Sequence, residues 1–460
     1  MARRTARWWA GEHRGRRPRA AVIRVALVSA VLGAETLLPA GGAWATEATG
    51  GDAYAYAEGA RTVTGAPSTT DAPALEPGAT YRSSITKGAE LSYRVELDAT
   101  TNAYVPVTVV PPANATVSAT DGISVSLQDA DGTPCSYASA RFGGGLSPRP
   151  VTALGTREAG RTVCEDAGTY YLIVKRQDAT GAGRSAAPEP GSWGLEIAPV
   201  TEPRLTESGP TTAPGAWNSA SPEAVTGEAR RRDGGAGFAT ARALGEGVWQ
   251  TRVEPGQTLF YKVPVDWGQQ LHATAELGST SSAGGYTSGA LDLSLHNPVR
   301  GPVEDVARGY TGSQTSAALG PLPPVEYRNR YAIPEAVRAT RFAGSYYLVV
   351  HLAGQTADTF GDGPFGLTLR VRISGTPHTG PGYTAGADGQ RGIFEVTPWD
   401  REVAVTGGAG AGGGKRAMKA VAAAGIGTGT ALLLLLAVWT VIVRRRDRAQ
   451  LRASAQNPTA

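Results

Sequence analysis

The phrase AGTYYLIV at residues 167–174 returns as AGSYYLVV at residues 343–350. A single catalytic core has no use for the same eight residues twice. A chain built from two copies of one module does. The copies match at further places, always in the same order. At a shift of 168 residues, YRSSI at 81–85 meets WQTRV at 249–253, LSYRVELD at 91–98 meets LFYKVPVD at 259–266, and ISVSL at 123–127 meets LDLSL at 291–295. GSWGLEI at 191–197 then meets GPFGLTL at 363–369. The length changes fall in Gly- and Ser-rich stretches, as loops between duplicated elements allow.

Each matched block reads as a strand. Leu91, Tyr93, Val95 and Leu97 alternate with polar residues, the pattern of a strand with one buried face, and Leu259, Tyr261, Val263 and Val265 repeat it. The runs at 170–174 and 346–350 are continuously apolar, with aromatic and β-branched residues, which fits central strands. Gly168 and Gly344 precede them as turn residues, and Gly194 and Gly366 are expected at a bulge or a close backbone approach. Neither half carries helical periodicity of useful length. The expected class is all-β, with two tandem β-sandwiches at 76–200 and 237–376.

The order of blocks, from P/K-G-x-x-x-x-Y-x-V through A-G-[ST]-Y-Y-L-[IV]-V to G-x-[WF]-G-L-x-[IL], resembles the bacterial pre-peptidase C-terminal domain over roughly residues 76–200 and 238–375. The resemblance implies jelly-roll-like β-sandwiches of the kind appended to secreted enzymes and surface proteins. PGQTLFYKVPVDW at 255–267 is also similar to a segment of actinobacterial membrane-anchored surface proteins, some of which carry a von Willebrand A domain. That domain is not expected here: His296 stands where the D-x-S-x-S metal motif, begun by Asp292 and Ser294, needs its second Ser.

The two ends read as targeting and anchoring segments. Residues 1–45 join an Arg-rich start, a short apolar run and Ala43-Trp44-Ala45, the form of a secretory signal peptide. Residues 420–443 run without a charge, roughly 36 Å of helix, and five arginines follow in the tail at 444–460. The expected topology is single-pass type I in the plasma membrane, with the modules outside and the tail inside. Between these parts come a disordered segment at 46–75, a linker at 201–236 and a Gly-rich juxtamembrane tether at 377–419. Ile393, Phe394 and Trp399 give the tether's first part something to pack back with. The formal charge of +4 belongs to the ends. Setting aside residues 1–45, the tail and the basic flank Lys415, Arg416 and Lys419 leaves about −9 for residues 46–414, which argues against nucleic acid as a partner.

Candidate chemistry is sparse. Cys135 and Cys164, an even pair in an oxidising compartment, are expected as a disulfide. Neither H-E-x-x-H nor G-x-S-x-G occurs. The mature histidines are His272, His296, His351 and His378, and a Ser-His-Asp cluster assembled through space stays open in so Ser-rich a chain. No catalytic residue, cofactor or firm metal site is assigned. Asp129 and Asp131 beside Gly132 are weak calcium candidates, or else an Asp-Gly hairpin turn. Arg300 occupies the equivalent turn of the second module, where it would oppose a cation. Trp193, Trp249, Trp267 and Trp399 are either a sugar-stacking face or packing residues. Arg230, Arg231 and Arg232 are a solvated linker run, a processing site or an anionic contact. Gly425 and Gly429 fit G-x-x-x-G helix association, or simple lipid exposure.

The functional expectation is a non-catalytic cell-envelope protein. It displays two modules for binding or scaffolding an unidentified envelope protein or polymer, and is held to the membrane through residues 420–443. The rival is a membrane-anchored hydrolase of peptides or envelope polymers. A sensing receptor whose tail docks a cytoplasmic protein is weaker, because that tail is short.

Overall fold

The computed structural model describes residues 54–178, 191–207, 209–281, 284–384 and 390–407. The signal peptide, the apolar run at 420–443, the tail and the tether from residue 408 lie outside the described residues. No helix among the described residues is long and apolar enough to cross a membrane.

The first half contributes β1 (Arg61–Thr62), β2 (Tyr81–Ile85), β3 (Glu90–Leu97), β4 (Ala103–Val110), β5 (Gly122–Gln128), β6 (Pro134–Arg141), β7 (Val151–Arg157), β8 (Gly168–Gln177), β9 (Trp193–Ile197) and β10 (Val200–Thr201). The second contributes β11 (Arg230–Arg231), β12 (Arg242–Ala243), β13 (Gly247–Val253), β14 (Thr258–Val265), β15 (Gln270–Leu277), β16 (Thr287–His296), β17 (Pro302–Tyr310), β18 (Thr315–Ala318), β19 (Gly344–Leu352) and β20 (Phe365–Ser374). Three short helices are interspersed: α1 (Glu335–Ala339), α2 (Thr356–Phe360) and α3 (Pro398–Thr406).

The halves repeat one topology. One sheet runs β1-β2-β9-β4 with β7 on the far side of β4, and its counterpart runs β11-β13-β20-β15-β18. The facing sheets run β3-β8-β5-β6 and β14-β19-β16-β17, the latter with β12 added at its edge. β10 continues β9 along β4 beyond Pro199, which has no N–H to give the ladder. The repeated phrase forms β8 and β19, each between two neighbours, so both are central strands. Tyr170, Leu172 and Val174 point into the first core, and Tyr346, Leu348 and Val350 into the second. The outer face differs. Tyr171 and Ile173 are half-buried, whereas Val349 and His351 are buried because Phe238, Phe260 and the first sandwich cover that side.

The expectation of disorder at 46–75 is corrected for residues 54–75, which form a strap along the first sandwich. β1 pairs in parallel with β2, Ala66 bridges Ser92, and the Leu75 amide donates to the Arg94 carbonyl. Pairing of this kind is made by backbone, so an Ala/Thr/Gly segment needs no apolar pattern to join a sheet edge. Small residues help: a Cβ on Gly65 would come within 2.7 Å of the Tyr93 hydroxyl. The second sandwich has the same device. β11 pairs with β13, Gly235 bridges Phe260, and Gly234 sits against Leu259 and Tyr261. The duplicated unit therefore begins before the blocks that align by eye.

The expected linker and tether also carry packed elements. Leu205 bridges Tyr383, and Tyr383 and Phe394 join the second core. α3 opens with a capping box between Thr397 and Asp400, with Pro398 at its first turn, and buries Val403 and Ala404.

Cys135 on β6 and Cys164 in the loop before β8 are joined, 29 residues apart. The same loop is gripped by the buried Arg157 guanidinium, which donates to the carbonyls of Thr101, Cys164 and Glu165. Replacing both cysteines by serine is expected to lower stability by about 3–4 kcal/mol, read as a shift in the urea midpoint. A shift well under 1 kcal/mol would mean that Arg157 alone fixes the loop.

Candidate functional site between the two sandwiches

The described residues belong to one compact unit. Two apolar cores are present, but Tyr104 and Val200 of the first sandwich pack with the second core, and the Tyr104 and Phe342 rings meet at 5.1 Å. Around this contact lies a seam of ion pairs that join the sandwiches. Glu196 accepts from Arg300 at 2.7 Å, and also from the Tyr54 hydroxyl and the Ala57 amide. Glu202 accepts from Arg330 at 2.6 Å, and from Asn102, Tyr104 and Tyr383. Arg341 meets Glu158 at 2.7 Å, and Arg149 meets Asp292 at 3.2 Å.

The seam's electrostatics follow from burial set against pairing. Burial pushes the Glu202 carboxyl up, but Arg330 and the surrounding hydrogen bonds outweigh it and hold the group below the usual carboxylate range. Glu158 is likewise held low by Arg341 and Arg161 against its burial. For Asp292 burial wins over Arg149, and its carboxyl is raised.

One arrangement has the composition of a nucleophile and its base. The Ser147 hydroxyl lies 2.9 Å from His351 Nε2, and Leu146 before it has a left-handed backbone (φ 46°). Yet Ser147 also accepts the Gly354 amide, His351 Nδ1 is taken by the Thr258 hydroxyl at 2.9 Å, and both Ser147 and His351 are buried. Burial, with Arg149 nearby, pushes the imidazole down to about 3. A histidine kept neutral this firmly is a poor acceptor for a serine proton.

The other histidines are scattered. His296 is buried, lowered to about 4 by that burial, and bonded to the Arg300 carbonyl. His378 meets Glu326 at the surface, and His272 lies on β15. Asp129 does not gather ligands: its Oδ1 accepts the amides of Asp131 and Thr133, closing the β5–β6 hairpin. No group of three or more His, Cys, Asp or Glu is placed to hold a metal among the described residues. Trp193, Trp249 and Trp267 are buried, two of them beneath Arg176 and Arg230 at 3.5 and 4.0 Å, while Trp399 is exposed on α3. They share no face. In the arginine run, Arg230 and Arg232 both cover Trp249, and Arg231 points to solvent beside Asp233.

Above the seam opens a cleft of about 1040 Å³. Its floor is one end of the β1-β2-β9-β4 sheet, with Arg82, Ser84 and Gly194 on it, and its far wall is Pro255, Thr258 and Gly354 of the second sandwich. Tyr56 of the strap lies directly on Gly194, so the close approach there is made by a side chain and not by backbone as expected: an added Cβ would come within 2.0 Å of its hydroxyl, while at Gly366 nothing lies within 4 Å. The Arg82 guanidinium stacks on the same ring at 4.4 Å. The described residues lining the cleft include two arginines, Arg82 and Arg149, and no carboxylate. Arg149 is already paired with Asp292, so Arg82 is the arginine that brings positive charge to the cleft.

No protein-family model matches the chain, and no curated protein matches it in sequence. Three of the solved structures with partial geometric likeness are these. The CUB1-EGF-CUB2 domain of human MASP-1/3 has 8% identity, over 64% of this chain and 99% of that one, at a TM-score of 0.15. The CBM22-1-CBM22-2 tandem domain from Paenibacillus barcinonensis Xyn10C has 12% identity, over 63% and 83%, at 0.18. The ANX1 ectodomain from Arabidopsis thaliana has 8% identity, over 64% and 88%, at 0.17. TM-scores this low carry no argument, and the fold stands on its own strand order.

Proposed function

We propose that the chain is a non-catalytic, membrane-anchored cell-envelope protein of type I topology. Its two β-sandwiches present the cleft at their seam to an extended envelope polymer or a partner protein. The cleft itself supports this reading most directly. It is open and large, it spans both sandwiches, and it offers hydroxyls and a guanidinium without an acid–base pair. The resemblance to pre-peptidase C-terminal modules, which are appendages rather than catalytic cores, agrees with it.

The hydrolase reading rests on Ser147 and His351, which lie behind the wall that Thr258 and Gly354 form. Their burial and the neutral imidazole weigh against it. The test uses full-length protein in detergent against a panel of envelope polymers. Arg82→Ala is expected to weaken binding of the recognised polymer about tenfold, and Ser147 is expected to resist a fluorophosphonate probe. Covalent labelling of Ser147, with turnover lost in Ser147→Ala, would replace this reading with the hydrolase.

A further inference from the structure

The two sandwiches carry the same patch of sheet, and only one copy is covered. In the first, pairing of β2 with β9 sets Ser84 opposite Gly194 and Arg82 opposite Glu196. In the second, pairing of β13 with β20 sets Arg252 opposite Gly366 and Gln250 opposite Thr368. The first patch is occupied by the chain itself. The Tyr56 ring lies on Gly194, a guanidinium covers the ring, and the neighbouring Ala57 amide donates to Glu196. Gly194 of the G-x-[WF]-G block is thus a seat for a tyrosine side chain, its hydroxyl end nearest the glycine.

On the second patch the seat is empty. Nothing stands within 4 Å of a Cβ built on Gly366. The second sandwich's own strap passes to one side: Val225, which matches Tyr56 when β11 is laid on β1 with Arg230 on Arg61, gives its carbonyl to Arg370 further along β20. Valine also has no ring to lay down. What remains is a hollow of about 370 Å³ with Gly278 and Gly366 as a bare floor and Gln250, Arg252, Gln314 and Thr368 around it. Arg252 is exposed and makes no ion pair among the described residues, so its guanidinium is available to cover a ring as Arg82 does. The amides of Gln250 and Gln314 can bond an incoming main chain.

We propose that this patch, Arg252 beside bare Gly366, is a receptor site for an extended peptide segment of a partner protein, seated by a tyrosine side chain. The first sandwich with its strap is the template for the seated side chain, with the Thr368 hydroxyl standing where Glu196 accepts the strap's main-chain amide. A sugar ring would stack on the same floor but would not reproduce the main-chain bond that the strap makes. The site lies on the second sandwich, apart from the cleft, and does not depend on what the cleft binds.

The test uses full-length protein and a fluorescein-labelled peptide with the strap's own sequence, residues 54–66 (YAYAEGARTVTGA). Anisotropy is expected to show saturable binding. Gly366→Leu should weaken it about tenfold or more and Arg252→Ala several-fold, and a peptide with Tyr56→Ala should not bind. Gly366 is exposed on a strand with open space at its Cβ, so Gly366→Leu is compatible with the fold. Gly366→Ala, a smaller block, should give an intermediate loss. Affinity unchanged by Gly366→Leu, or no peptide binding at all, would overturn the proposal. So would saturable binding of maltohexaose that Gly366→Leu abolishes while the peptide fails to bind.

Discussion

Replacing Glu202 by alanine is expected to cost about 3–5 kcal/mol of stability, the range for removing one partner of a buried ion pair. The carboxylate is buried and holds Arg330 at 2.6 Å, with Asn102, Tyr104 and Tyr383 around it. Without it, a buried guanidinium and two buried hydroxyls lose their acceptor. Most of the cost is that residue of unpaired charge and not the pair's own net attraction. Glu202→Gln should recover part of it by keeping an acceptor for the tyrosines. The effect also has a pH signature. Glu202 and Glu158 are both held below the ordinary carboxylate range, so they add stability above the unfolded value of about 4.3 and lose it as pH falls through their folded values. Asp292 runs the other way. Its raised carboxyl costs stability once pH exceeds its unfolded value, and that cost vanishes in acid. Two lowered groups against one raised group make the seam weaken below about pH 4. Urea melts of the wild type and Glu202→Ala at pH 7 and pH 3 check this. A difference under 1 kcal/mol at pH 7 would mean that water reaches the pair.

Leu348→Ala is expected to cost about 2–5 kcal/mol through lost burial and the cavity left behind. Leu348 is fully buried on the central strand of the second sandwich. From sequence alone, the loss should unfold that sandwich and leave the first intact, because each has its own strand set. The seam alters the expectation. If the second sandwich unfolded, Glu196 and Glu202 would lose Arg300 and Arg330, and Tyr104 would lose Phe342. A single transition moved to lower urea is therefore expected, seen alike by tryptophan fluorescence and circular dichroism. Two resolved transitions, the first sandwich's unmoved, would show that the seam adds little and the sandwiches unfold independently.

What could be read from the sequence was what side-chain pattern dictates. The alternation at 91–97 and 259–265, the apolar runs that became β8 and β19, and the glycine of GSWGLEI all behave in space as their chemistry requires. The strap at 54–75 was hidden because its pairing with the sheet edges is made by backbone and its few large side chains, Tyr54 and Tyr56 among them, form no periodic pattern. The seam was hidden for another reason. A buried glutamate looks like a surface glutamate in a string of letters, and the partners lie far apart: 104 residues for Glu196 and Arg300, 128 for Glu202 and Arg330. One signal was available. Glu196 stands where the second copy has Thr368, and Arg300 stands in a turn where the first copy has acid. Those two mismatches mark opposite sides of one contact. Three of the four tryptophans under consideration went to packing. The Asp129 turn went to closing a hairpin.

The strap also sets an order of events. Tyr54 is among the first described residues to leave the ribosome, yet its hydroxyl waits for Glu196, its neighbour's amide waits for the Ala236 carbonyl, and the cluster closes only around Arg300. Chain growth at about 5–20 residues per second makes that a delay on the order of tens of seconds. Gly194 itself follows Tyr56 by 138 residues, so for the first part of that interval the seat does not yet exist. The earliest of the described residues are thus among the last to be placed, and the strap must find a surface that later parts of the chain have only just built.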